Sequence, residues 1–203
     1  MGYSEDFVSQ VLLKILLKSE SISFDIGAYN GEHTETMAEH GKHVYAFEPE
    51  PESALKLSNR SKSNVTVIAK AVSNKAGKIK LYICPTNNGG HSISKNKVWK
   101  HEETIDVECI KLDDFVKENN IERLDLIKID VEGSELEVFQ GAEHIIKQFR
   151  PSIVFESHLN VDIKAIDKFF KSIDYQVKNT DFFPVKKIEA DQHYWAHSAH
   201  LHY

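Results

Sequence analysis

Asp130 and Glu132 stand at the end of an apolar run, in the segment LDLIKIDVEGSELEVFQGA from Leu124 to Ala142. Glu156 and His158 close a second such run, PSIVFESH. Carboxylates at the mouth of an apolar strand cost free energy unless they are paired or used, because charged groups resist leaving water. One use is proton transfer: an acid or imidazole placed beside a reacting hydroxyl is worth about 10²–10⁴-fold in rate. Another is to hold a divalent cation such as Mg²⁺, which takes hard oxygen ligands and polarises a bound hydroxyl. Plainer roles stand beside these. Glu132 is placed to cap the following helix, His158 to be an ordinary loop histidine, and Asp130 to meet a cationic ligand tail. Glu135 is expected to lie solvated on the helix surface.

Three further strand ends carry candidate binding residues. In FDIGAYNGEHT, Phe24 to Thr34, they are Asp25, Gly27, Tyr29, Asn30, Gly31 and Thr34. Gly27 and Gly31 permit a tight turn and a close approach of backbone to ligand. A dinucleotide site calls for G-x-G-x-x-G with amides facing a pyrophosphate. Here the spacing is G-x-x-x-G behind an acid, and Asp25 would repel a diphosphate while attracting a cation. S-adenosylmethionine has that character, being a sulfonium with an amino-acid tail and no phosphate. A purely structural strand-to-helix turn is the alternative. Glu48, in YAFEPEP, ends the next apolar run 17 positions after Gly31. An acid about this far along grips a ribose diol, which supports a nucleoside without choosing between cofactors. Ala71 and Val72, with Ser73 behind them, offer small apolar surface to an adenine ring or simply end a strand.

For these residues to share one site, several strand ends must lie side by side. SISFDIG, KHVYAFEPE and NVTVIAKAVS read as strands, with helices over about 34–40 and from Pro51 onward. KIKLYIC and TIDVECIKL alternate as strands around the polar loop PTNNGGHSISKNKVWKHEE, predicting a hairpin-like insertion around residues 78–110. Then come a short helix LDDFVKENN, the strand LDLIKID, one long amphipathic helix SELEVFQGAEHIIKQF, the strand RPSIVFESH and the helix VDIKAIDKFFKSI. DYQVKNT and HYWAHSA are placed to close the sheet. Strand–helix alternation predicts an α/β fold with a mostly parallel sheet. In such sheets ligands bind at the carboxyl ends of the strands, near the switch point. The loop Asn87–Ser94 is a natural lid from which His91 and Ser92 could swing over an acceptor; an idle hairpin tip is the alternative.

With 203 residues there is room for one full core and hardly for two, so a single domain over 1–203 is expected. Residues 1–20 are read as a helix packed on it, with Phe7, Val11, Ile15 and Val8, Leu12, Leu16 on one face. A net charge of −6 argues against a nucleic-acid partner. No apolar run approaches the length of a membrane span, and the acidic start is unlike a secretory leader. Gly2 invites a myristoylation reading, but Asp6 departs from that pattern. Cys84 and Cys109 read as small apolar fillers in a reducing cytoplasm, although a cross-strand disulfide is conceivable. His193, His197, His200 and His202 invite a metal reading, yet a last strand with a polar tail explains them more simply.

Taken in order from Phe24 to His158, FDIGAYNGEHT, VYAFEPEPESALKL, ECIKLDDF, LDLIKIDVEGSELEVFQGA and PSIVFESH resemble the FkbM family of S-adenosylmethionine-dependent methyltransferases. The resemblance implies a Rossmann-like class I methyltransferase fold, with a mostly parallel seven-stranded sheet and helices on both faces. It also implies methyl transfer to a hydroxyl oxygen of a sugar or natural product, hence a small-molecule or glycan acceptor. Many members carry Asn directly after Gly-Ala, where this chain has Tyr29 and then Asn30, so that Asn contact does not pass to Tyr29. Under this reading Asp130, Glu132, Glu156 and His158 face the reaction, and His91 reaches it from the lid. Two other readings remain: a nicotinamide-dependent oxidoreductase, which the missing G-x-G-x-x-G disfavours, and a non-catalytic binding domain of the same fold.

Overall fold

A computed structural model describes residues 5–83, 91–93, 103–158, 161–179, 188–189 and 192–198. Helix α1 (Glu5–Leu16) leads into strand β1 (Ile22–Ile26), α2 (Glu32–His40), β2 (His43–Phe47), α3 (Pro51–Arg60) and β3 (Val65–Ile68). Next come β4 (Ala71–Val72), β5 (Gly77–Ile83), β6 (Glu103–Ile110) and α4 (Leu112–Glu118). The chain continues through β7 (Leu126–Ile129), α5 (Glu135–Gly141), α6 (Glu143–Phe149) and β8 (Ser152–Ser157). It ends with α7 (Ile163–Ser172), β9 (Tyr175–Asn179) and β10 (Gln192–Ser198).

Seven strands form the main sheet in the order β3-β2-β1-β7-β8-β10-β9. All neighbours are parallel except β10, which runs antiparallel to both β8 and β9. The order reverses between β1 and β7, and that is the switch point where strand ends splay to leave a crevice. DYQVKNT and HYWAHSA do close the sheet, as expected. β1, β7 and β8 are buried almost throughout, as parallel strands covered on both faces must be. Between β8 and the helices beside it lies an aromatic core. Phe139 meets Phe155 edge-on at 5.4 Å between ring centroids, and Phe155 stacks on Phe170 at 5.3 Å.

Three expectations need correction. The third predicted strand is two: β3 ends at Ile68, the Lys70 amide bonds back to the Ile68 carbonyl, and β4 leaves for a second sheet beside Cys109 and Ile110. That sheet has the order β4-β6-β5, and its antiparallel β5–β6 pair, Leu81 opposite Ile105, is the expected insertion. The long helix over 134–149 breaks at Ala142 (φ −118°, ψ 6°). Asp113 accepts hydrogen bonds from the amides of His144 and Ile145, giving α6 its own N-terminal partner and making the break cheap. Finally, α1 buries Leu12 and Leu13, and Leu17 just beyond it, against Met37, Val44, Leu126, Val154 and Trp195, while Val11 and Ile15 are exposed. A helix lying on a sheet presents the 12/13/16/17 stripe here, not the 11/15 one. The side chains of Phe7 and Val8 lie outside the described set, as do Cys84, His200, His202 and most of the lid, Asn87–Gly90 and Ser94. Cys109 is buried. Among the described residues no helix is long and apolar enough to cross a membrane.

One close approach fixes the switch point. Gly27, at φ 79°, turns off β1 so tightly that a Cβ would fall 1.8 Å from the Asp130 carbonyl oxygen. Backbone cannot be nudged aside as a flexible side chain can. Gly27→Ala should therefore cost about 2–5 kcal/mol, from overpacking together with left-handed strain. Urea denaturation checks this; a loss below about 1 kcal/mol would show that the two strand ends can part.

Candidate functional site

The carboxyl ends of β1, β2 and β7, with β4 and residues 91–93, enclose a cavity of about 250 Å³. Nine of the sequence-derived candidates line it: Gly27, Tyr29, Glu48, Ala71, Val72, His91, Asp130, Glu132 and Glu156. Five do not. Asp25 is buried beneath the loop and accepts the Thr34 hydroxyl at 2.5 Å. Asn30 is exposed and bonded to Glu32, Gly31 packs on Leu57, and His158 stands behind the cavity wall. The first βα loop is thus held from below by Asp25 and Thr34, while its Gly27–Tyr29 segment forms the wall.

Glu48 sits at one end of the cavity, 4% exposed. One of its oxygens accepts the Tyr29 amide at 2.7 Å and the other the Glu50 amide at 2.9 Å. Burial pushes this carboxyl up to about 7, against the pull of those two amides. Each oxygen keeps a second lone pair, so a diol could be taken by both at once. Apolar Ala71, Val72, Phe47 and Leu81 line the same cavity, which suits a flat ring.

At the other end the charges crowd. Lys128, on the buried strand β7, places Nζ 3.5 Å from Asp25 Oδ1 and 3.6 Å from Asp130 Oδ2, and donates to the Gly27 carbonyl at 3.4 Å. Burial alone would favour the neutral amine, but the two aspartates keep it charged. Burial likewise raises the Asp130 carboxyl, yet Lys128, His158, His193 and His33 outweigh it and hold the group below its ordinary range.

His158 donates from Nδ1 to Glu135 Oε1 at 2.6 Å, and Glu135 is fully buried. The expectation of a solvated Glu135 and an ordinary loop His158 is therefore wrong. The helix that follows β7 starts with its first turn turned inward, and Glu135 also accepts the Gly133 amide at 3.0 Å. His158 Nε2 faces Glu132 and Glu156 at 3.5 Å each and Asp130 at 3.7 Å. Burial works against the imidazolium, but Glu135, then Asp130 and Glu132, push it up to about 10. On the far side, His193 Nε2 lies 3.1 Å from Glu156 Oε2. His193 thus belongs to this cluster, while His197 sits in the buried part of β10 with Nδ1 against the Ser198 carbonyl.

Sequence reasoning missed Lys128 and Glu135. Lys128 had a signal, a lone charge inside LIKI, since a lysine in a strand covered on both faces needs acids. Glu135 had none, because nothing local turns it inward.

This sheet order, with acids at adjacent strand ends and a buried carboxylate just after β2, is that of a class I methyltransferase type of α/β protein. Structural comparison agrees. A methyltransferase FkbM structure from Methylobacillus flagellatus superposes with a TM-score of 0.62 at 18% identity, over 89% of this chain and 44% of that one. The Streptococcus mutans protein SMU.1697c, solved in complex with SAH, gives 0.59 at 14% identity over 97% and 99%. Residues 25–177 match the methyltransferase FkbM domain, and the chain belongs to that family. Among curated relatives, the hexuronic acid methyltransferase AglP of Haloferax volcanii is 27% identical over 78% of this chain. The 2-O-methyltransferase NoeI of Sinorhizobium fredii is 24% identical over 70%. Each match spans 66% of the relative's own length.

The His158–Glu135 pair makes stability depend on pH with a definite sign. The folded-state pKa of His158, about 10, lies above its ordinary 6.5, so the folded chain binds the extra proton. The pair's contribution is fully present below pH 6.5 and is lost as pH rises through about 10. Glu135→Gln removes the first partner's charge and should flatten that slope. Denaturation midpoints at about pH 7 and about pH 10 measure it; equal slopes in both proteins would mean His158 does not hold its proton on Glu135.

Proposed function

We propose that this chain transfers a methyl group from S-adenosylmethionine to a hydroxyl of a sugar-like acceptor. The observation that carries the reading is the two-ended cavity, with a buried carboxylate set for a diol at one end and an acid-rich mouth at the other. The residues fit the cofactor. Glu48 would take the ribose hydroxyls, Ala71 and Val72 the adenine, and the Gly27–Tyr29 backbone the amino-acid end. Asp25, Thr34, Asn30 and Gly31 shape the loop that presents them.

Bound there, S-adenosylmethionine supplies an electrophilic methyl on sulfur. The chain's own work is to align the hydroxyl, accept its proton and exclude water, and alignment alone contributes several kcal/mol. Without a metal the surrounding acids keep His158 protonated at neutral pH, so it is not the base. That leaves Asp130, Glu132 and Glu156 on the cavity wall to receive the proton. AglP and NoeI, by name methyltransferases for a hexuronic acid and for a 2-hydroxyl position, support hydroxyl-bearing acceptors of the sugar type.

Two measurements test the reading. Glu48 binds a diol in its ionised form, and its free pKa is about 7. Affinity for S-adenosylhomocysteine should then be full at about pH 8 and weaken as pH falls through 7, by up to about tenfold per unit. Glu48→Ala should lower it at least roughly tenfold at about pH 8 and remove the pH dependence. Calorimetry showing no binding by the wild-type chain would overturn the reading; pH-independent binding would remove Glu48 from the grip.

Asp130→Asn keeps volume while removing charge and basicity. Binding of S-adenosylhomocysteine should survive, and labelled-methyl transfer to a panel of hexoses and hexuronic acids should fall by about 10² or more. Parallel loss of binding and transfer would move Asp130 to the cofactor's amino-acid end. Undiminished transfer would leave Asp130-Val131-Glu132-Gly133 as a helix-entry turn.

A further inference from the structure

We propose that Asp130, Glu156 and His158 bind one divalent cation of the Mn²⁺ type at the mouth of the cavity, with Glu135 fixing the imidazole that ligates it. Each of the three residues offers one ligand atom, and these atoms all lie within 4.8 Å of one another. The donor set is mixed, two carboxylate oxygens and one ring nitrogen, which distinguishes it from a merely acidic patch. Imidazole suits transition metals and carboxylate suits Mg²⁺, Ca²⁺ and Mn²⁺, and Mn²⁺, a transition ion that takes hard oxygen ligands, fits the combination.

The separations carry the argument further. A histidine paired directly with a carboxylate closes to hydrogen-bond distance, as Nδ1 does on Glu135 at 2.6 Å. Among the described carboxylates Nε2 stands 3.5 Å from Glu132 and Glu156 and 3.7 Å from Asp130. The three groups thus stand close around a common point, all their ligand atoms within 4.8 Å of one another, without closing on each other. Glu135 adds a second, independent mark. Metal-ligating imidazoles characteristically donate their other N–H to a carboxylate, which fixes ring orientation and tautomer. Here that carboxylate is completely buried and comes from a different element, the helix α5.

Charge points the same way. Asp25, Asp130, Glu132, Glu135 and Glu156 gather around Lys128 and His158. A dication would offset the excess of acids, with His158 then serving through neutral Nε2. The ion's use, polarising the acceptor hydroxyl, rests on the proposed methyl transfer; its binding does not.

The test uses the full chain after treatment with EDTA and titration with Mn²⁺, reading the free-ion signal by electron paramagnetic resonance. One Mn²⁺ per chain is expected, weakened by more than about tenfold in Asp130→Asn and in Glu156→Gln. Both substitutions conserve volume at partly exposed positions, and circular dichroism confirms their folding. Glu48→Gln, at the opposite end, should bind Mn²⁺ like wild type. Absence of stoichiometric binding overturns the proposal, and so does binding that neither acid variant weakens. S-adenosylhomocysteine binding in the same EDTA-treated sample separates this failure from failure of the methyltransferase reading.

Discussion

Lys128 is buried in the middle of a parallel sheet, and moving an ion out of water costs several kcal/mol unless its partners are well placed. Those partners, Asp25 and Asp130, come from the ends of β1 and β7, the two strands flanking the point where sheet order reverses. The lysine therefore ties the crevice shut at its base. Its bond to the Gly27 carbonyl sets the first βα loop, and Thr34 bonded to Asp25 ties the following helix to the same group. Remove the cation and the fully buried Asp25 keeps, among the described residues, the Thr34 hydroxyl but no cation beside it. The loop that walls the cavity would then lose its floor.

A second device depends on that one. β10 enters the sheet antiparallel, in register so that His193 lies opposite Glu156. A strand inserted this way brings a side chain to the carboxyl end of β8 from the opposite chain direction. His193, Glu156, His158 and Glu135 then continue the alternation of charge that Lys128 begins between Asp25 and Asp130. Each acid has a base beside it, so the cluster stays folded around a mouth that is rich in carboxylates and still partly open.

Much of this was legible in the sequence. Apolar runs mark strands whose tips face a crevice, and five of them located the cavity wall through Gly27, Glu48, Ala71, Asp130 and Glu156. What was not legible depended on contacts distant in sequence. NVTVIAKAVS reads as one strand because β-branched residues continue across it, and only the pairing of Ala71 with Cys109 shows where the chain changes sheets. The 134–149 helix reads as continuous because Ala142 is a good helix former. Its break is rewarded by Asp113, from another helix. Glu135 looks like a surface acid until His158 arrives from β8. Local propensity is a weak prior wherever a tertiary partner decides.

The rim of the cavity shows where the fold stores strain. Tyr29 and Glu132, both lining it, hold left-handed backbone at φ 42° and φ 54°. Neither residue type tolerates that region easily, and the cost is about 1–2 kcal/mol each. Both are held by long-range bonds. The Tyr29 amide is fixed on the buried Glu48 carboxylate, and the Glu132 carbonyl accepts the Ser92 hydroxyl at 2.7 Å. Ser92 is itself bridged to Tyr82 of β5. Glu48 therefore orders Tyr29 directly, and under the proposed function the carboxylate that takes the diol would be the group that shapes the loop. By the same logic the insertion is coupled to the acid turn through Ser92. Residues 91–93 are thus tied to the strained peptide at Glu132, so that under the proposed function a shift of this segment would also shift the acids of that turn.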